Sequence, residues 1–109
     1  RNSTYTRITD NRMLAIAQAL IPSPRVLLLD EPSGGLAPSI VGDVLQTVRS
    51  LVGSGLTVVL VEQAVGFALA LSDSVVVLDQ GKVVLEAPTS APDIATAIQS
   101  AYFATGERR

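Results

Sequence analysis

The residues best suited to chemistry stand at the end of one apolar run, Val26-Leu27-Leu28-Leu29-Asp30-Glu31-Pro32. The run is apolar at both alternating sets of positions, which predicts a strand of a parallel sheet covered by helices on each side. Two adjacent carboxylates then emerge at its C-terminal end, the edge where open α/β sheets place ligands. A carboxylate fixed by a strand can hold magnesium directly or through its waters, and a second beside it can polarise a water for attack on a phosphoryl group. Asp30 suits the first task and Glu31 the second. The plainer alternative is a strand ending in a solvated Asp-Glu-Pro turn, and the neighbouring residues must decide. Ser33-Gly34-Gly35-Leu36 comes next, with two glycines that let the backbone turn tightly and approach another chain closely, or simply serve as a flexible connection. A second apolar, β-branched run, Thr57-Val58-Val59-Leu60-Val61, ends in Glu62-Gln63. The Gln63 amide can donate to a phosphate oxygen but cannot take a proton; its plain alternative is an ordinary residue at the start of a helix.

These groups need rigid elements behind them. Residues 1–9 are polar and without apolar period, which predicts a loop or frayed arm, with Asp10 or Asn11 able to cap the first helix. From Arg12 to Leu20, Met13, Leu14, Ile16, Ala17 and Leu20 recur at helical spacing, and Pro22 and Pro24 stop the helix. Pro38 fits the first turn of a second helix whose buried stripe is Val41, Val44, Leu45, Val48, Leu51 and Val52, closed by Gly53 and Gly55. Strand, helix and strand together make a right-handed crossover with parallel strands. Beyond it the pattern gives a short helix over 64–71, then two strands, 74–78 and 82–86, joined across Asp79-Gln80-Gly81 as a hairpin. Ile94, Ala97, Ile98, Ala101 and Tyr102 line one side of a terminal helix, before a charged tail. The fold class is α/β.

Bulk properties narrow the function. The 109 residues are 48% hydrophobic, enough for a packed core. Eight scattered bases against ten acids leave no basic stripe for nucleic acid or an anionic membrane surface. The chain has no cysteine and no histidine, which excludes disulfides, thiolate metal sites and an imidazole base. No apolar run approaches the roughly 20 residues of a membrane-spanning helix.

In this order the segments resemble an ABC-type ATPase. The strand with Asp30-Glu31-Pro32 is similar to the family's Walker B segment and catalytic glutamate. Ser33-Gly34-Gly35-Leu36-Ala37-Pro38 looks like its D-loop, in the variant of branched-chain amino acid importers. Val59-Leu60-Val61-Glu62-Gln63 resembles the switch segment, with glutamine where most members have histidine, as the same subgroup often does. The stretch from Leu71 to Glu86 resembles the closing hairpin, and Met13 to Leu20 the helix that comes after the signature motif. The resemblance implies an N-terminal arm over 1–12 that does not match, the C-terminal part of an ABC ATPase domain over 13–104, and a polar tail over 105–109. The implied fold is a partial P-loop NTPase-type parallel sheet flanked by helices, with a C-terminal β-hairpin and terminal helix. The implied cofactors are ATP and Mg2+, with Asp30 on the metal, Glu31 on the attacking water, Gln63 sensing the γ-phosphate, and Ser33, Gly34, Gly35 and Leu36 at the nucleotide-bearing dimer interface. The implied partners are a second ABC ATPase subunit and transmembrane permease subunits, with no nucleic acid and no direct membrane insertion. The implied location is cytoplasmic, peripheral at the inner face of the cell membrane.

Two departures matter. No glycine-rich loop ending in Lys and Ser or Thr exists in these residues; the only lysine, Lys82, is preceded by Gly81 but succeeded by Val83 in the expected hairpin. Thr6-Arg7-Ile8-Thr9-Asp10, where the signature motif should fall, does not match it, and the earlier parts of the ATP site would lie upstream of Arg1. The chain alone is therefore expected to be inactive. A non-catalytic module that pairs with a complete ABC ATPase subunit remains an alternative. So does an inert remnant with unpaired strand edges or uncovered apolar faces, or an unrelated magnesium-dependent phosphohydrolase resting on Asp30 and Glu31 alone.

Overall fold

The computed structural model describes residues 3–7 and 12–106. The chain divides into two compact units, Arg1–Leu71 and Ser72–Arg109. In the first, β1 (Ser3–Arg7), α1 (Arg12–Leu20), β2 (Val26–Asp30), α2 (Pro38–Gly53), β3 (Thr57–Val61) and α3 (Val65–Leu71) succeed one another. The second holds β4 (Ser74–Asp79), β5 (Lys82–Pro88) and α4 (Ile94–Gly106).

β1 corrects the expectation of a loop at the N-terminus. It pairs in parallel with β2 from Ser3 opposite Val26 to Arg7 opposite Asp30. Apolar periodicity is silent for a polar strand, yet Thr and Tyr favour extended backbone, and β1 borders only one strand, where a polar sequence is tolerated. Residues 8–11, which hold the remainder of the unmatched signature position and the expected cap, lie outside the described residues. The edges of β2 are thus both paired, with β3 on its other side in register from Val26–Thr57 to Asp30–Val61.

The strands stand in chain order, β1-β2-β3. Two right-handed crossovers stepping in the same direction put both connecting helices on the same face of the sheet. Packing agrees: Ile16 and Ala19 of α1, Leu27 and Leu29 of β2, Val44 and Val48 of α2 and Phe67 of α3 form one buried cluster, with Val58 and Leu60 of β3 packed against it. Burying each large side chain contributes about 1.5–3 kcal/mol. On the opposite face no helix packs among the described residues of this unit. Leu28 is half-buried there, and Val59 and Val61 are 50% and 57% exposed.

The stripe of α1 is also rotated from the expected one. Ile16, Ala19, Ala15 and Leu20 face the core, whereas Met13, Leu14 and Ala17 are exposed. In α2 the expected stripe holds, with Val44 and Val48 fully buried and Val41, Leu45, Leu51 and Val52 against the core. Pro38 occupies its first turn. At its end Gly55, with φ of 100°, donates to the Val52 carbonyl at 3.0 Å, and Leu56 donates to the Leu51 carbonyl at 3.2 Å. These two bonds satisfy the last carbonyls of α2 and turn the chain into β3.

In the second unit β4 and β5 pair antiparallel, with Asp79 opposite Lys82. Gln80 and Gly81 between them both have positive φ, 50° and 76°, a two-residue turn whose twist matches the strands. Lys82 therefore sits at the start of a hairpin strand. Val77 of β4 and Ile98 of α4 are buried, and Tyr102, expected on the buried side of α4, is exposed.

Candidate functional site

The in-register pairing of β2 and β3 brings their C-terminal ends together, and the expected site residues leave from those ends. Asp30, the last residue of β2, is half-buried; Glu31 is exposed. The chain does not drift away from the sheet after Asp30. The Glu31 N–H donates to the Val61 carbonyl at 2.7 Å, and the Gly34 N–H returns to the Glu31 carbonyl at 3.2 Å, closing a tight turn around the buried Pro32. Glu31 holds φ of 50°, in the left-handed region that a residue with a side chain enters at a cost of roughly 1 kcal/mol.

Gly34 lies under the Glu31 carboxylate: a Cβ there would stand 3.8 Å from Glu31 Oε2. Gly35, with φ of 73°, is exposed and a Cβ on it would meet nothing within 4 Å. Leu36, expected at an interface with a partner, packs against its own unit's core. Gln63 is exposed just beyond β3. The structure thus gathers Asp30, Glu31, Ser33, Gly34 and the turn carrying Gln63 at one sheet edge, while Leu36 anchors the loop inward.

Two residues in this gathering have no counterpart in the sequence expectations for the site. Glu62 accepts the Ser33 N–H on Oε2 at 3.1 Å and, on Oε1, the N–H groups of Gln63 at 3.1 Å and Ala64 at 3.4 Å. Arg12, placed by sequence in the unmatched arm, donates its guanidinium to the Gly34 carbonyl. An acid immediately before a turn into a helix is a weak signal for the local part of the Glu62 role. Nothing in the sequence announces Ser33 as its partner, or Gly34 as that of Arg12.

Among the described residues no three Asp, Glu, His or Cys side chains cluster as a protein-built metal cage. Magnesium in phosphoryl-transfer sites is held by one or two carboxylates with waters and substrate phosphates, and the Asp30 carboxylate at the end of β2 has the chemistry of such a ligand. The open depression of about 640 Å³ between Leu20, Arg25, Leu51 and Leu56 lies at the start of β2 and β3, the edge opposite the carboxylates. It plays no part in this site.

No protein-family model matches the chain. Over 76 residues it is 46% identical to a high-affinity branched-chain amino acid transport ATP-binding protein of Pseudomonas aeruginosa, covering 70% of this chain and 33% of the relative. A glutamine transport ATP-binding protein of Geobacillus stearothermophilus is 40% identical over 75 residues, 69% of this chain and 31% of its own. An arginine transport ATP-binding protein of Bacillus subtilis is 40% identical over 86 residues, 77% of this chain and 36% of its own. The chain is related to the ATP-binding subunits of ABC transporters. A solved ATP-binding cassette, in a dimeric post-hydrolysis state with ADP and Pi, shares the fold with a TM-score of 0.64 and 28% identity, over 72% of this chain and 34% of that one. The chain spans about a third of the length of the ABC relatives it matches, and corresponds to their C-terminal part. Among the described residues no helix is long and apolar enough to cross a membrane.

Proposed function

We propose that this chain carries the hydrolysis side of an ABC-type ATP site, in a subunit that drives amino acid import. The observation that carries the reading is the joining of two strand ends: Asp30 and Glu31 leave β2 beside the turn that bears Gln63, with Glu31 and Ser33 hydrogen-bonded to Val61 and Glu62. When bound, magnesium neutralises charge on the phosphate oxygens, and Asp30 is the residue that would hold it. Glu31, exposed and held in a strained conformation at the sheet edge, accepts a hydrogen bond from a water and orients it for attack on the terminal phosphoryl group. Gln63 donates its amide to a phosphate oxygen. Ser33, Gly34, Gly35 and Leu36 form the loop that faces a second ATPase subunit, with Gly35 outermost and Leu36 anchoring the loop. Branched-chain amino acids are the favoured cargo, on the strength of Ala37-Pro38, Gln63 and the Pseudomonas relative, whose name specifies that transport. Transmembrane permease subunits complete the assembly, with this subunit peripheral at the inner face of the cell membrane.

The 109 residues contain no phosphate-cradling loop with its lysine, so the chain by itself is expected to bind and turn over ATP poorly. Magnesium-ATP binding and turnover by the purified chain, beside Glu31→Gln, is the direct test. The expected result is no turnover that responds to the substitution. Turnover abolished by Glu31→Gln would show that the chain assembles a complete site. Pairing with a complete ABC ATPase subunit without any dependence on nucleotide would favour the non-catalytic module.

A further inference from the structure

The loop behind Glu31 has no sheet ladder to hold it, yet it is gripped at two successive residues by groups of opposite charge. The Glu62 carboxylate takes the Ser33 N–H, and the Arg12 guanidinium takes the Gly34 carbonyl. Glu62 does more than hold this loop. Its two oxygens divide the work, Oε2 reaching across 29 residues of sequence to Ser33 while Oε1 collects the N–H groups of Gln63 and Ala64. A carboxylate offers acceptors on both oxygens, and bonds to a charged acceptor are stronger than those to a neutral one. The half-buried position of Glu62 limits competition from water.

We propose that Glu62 is a positioning residue that locks the loop behind Glu31 to the turn carrying Gln63, so that the water-orienting and phosphate-sensing groups move as one body. This deepens the ATP-site reading and rests on it for its functional meaning. The contact geometry stands without it. It acts through Ser33 and Gln63.

Side-chain length and charge give the test its resolution. Glu62→Asp keeps a carboxylate able to cap its own turn but falls one methylene short of Ser33. Glu62→Gln keeps one acceptor oxygen and must abandon one of the two tasks, and Glu62→Ala loses both. Amide hydrogen exchange on the isotopically labelled 109-residue chain reads each bond separately. The expected result is exchange at Ser33 about tenfold faster in Glu62→Asp with Gln63 and Ala64 retained, and at all three in Glu62→Ala. Amides of Leu27, Leu29 and Val48 report on the fold, and Glu62→Asp carries the test should Glu62→Ala not fold. Ser33 exchange that stays at the wild-type rate in Glu62→Asp and Glu62→Ala, or that rises only together with the core amides, overturns the proposal.

Magnesium-ATP is then titrated into wild type and Glu62→Asp. Where wild type responds, the amides around Glu31 and at Gln63 should shift with one midpoint, and in Glu62→Asp the Gln63 response should separate or vanish. Equal, joint responses in both proteins also overturn the coupling. A wild type in which no amide responds is the result expected of a chain without the phosphate-cradling loop, and the exchange data then decide the role of Glu62.

Discussion

Glu31 spends conformational energy that folding alone does not require. Its φ of 50° lies where glycine is at ease and a glutamate is not, and its N–H and carbonyl are already satisfied by Val61 and Gly34 through backbone bonds that any residue could make. Glu31→Gly should therefore leave the protein as stable as before, or more stable by up to about 1 kcal/mol, measured by urea unfolding. A loss of stability beyond that would mean that the side chain serves the fold. The placement of Asp30, Glu31 and Gln63 at strand ends was legible because position after an apolar run carries that signal. The Glu62–Ser33 and Arg12–Gly34 contacts were not, because they run to backbone atoms of residues distant in sequence, which a one-dimensional pattern does not encode.

At the scale of the element, the joints that deliver the strands are set by backbone sign. Gly55 ends α2 at φ of 100° and turns the chain into β3, and a Cβ there would meet nothing within 4 Å. The cost of Gly55→Ala is then purely conformational, about 1–2 kcal/mol, visible as a lower thermal midpoint. An unchanged midpoint would show that the turn relaxes without the left-handed residue. Gln80 occupies the first position of the Gln80-Gly81 turn at φ of 50°, where asparagine is better suited. Gln80→Asn should stabilise the hairpin by a few tenths of a kcal/mol up to about 1, read from slower amide exchange along β4 and β5. Glycines and prolines made these elements readable: Pro38 at the start of α2, Gly55 at its end, Gly81 in the hairpin. β1 escaped because Thr4 and Thr6 give no apolar period, and its pairing with β2 is a long-range choice. The rotation of α1 escaped because Met13-Leu14-Ala15-Ile16-Ala17 is apolar around almost the whole helix, so spacing alone does not select a face.

Over the whole of the larger unit, strand order decides where the core lies. Chain-order strands with same-handed crossovers put α1 and α2 on one face, and that face holds the fully buried Ile16, Leu27, Leu29, Val44 and Val48. The apolar runs of β2 and β3 report how apolar each face is, while the order of the strands determines which face α1 and α2 cover. The two faces should therefore differ sharply in their sensitivity to substitution. Leu27 is fully buried, and Leu27→Ala removes packed atoms with little room for collapse, a loss of about 2–5 kcal/mol. Val59 is on the other face and 50% exposed, so Val59→Thr should change stability by less than about 0.5 kcal/mol. Urea midpoints of the two variants against wild type measure the contrast, at equal denaturant slope. If Val59→Thr costs as much as Leu27→Ala, the second face is packed in solution and the single-faced core is wrong. If only Leu27→Ala unfolds the chain, the C-terminal edge with Asp30 and Glu31 is held by one layer of helices, with Leu27 and Leu29 as its fixed points.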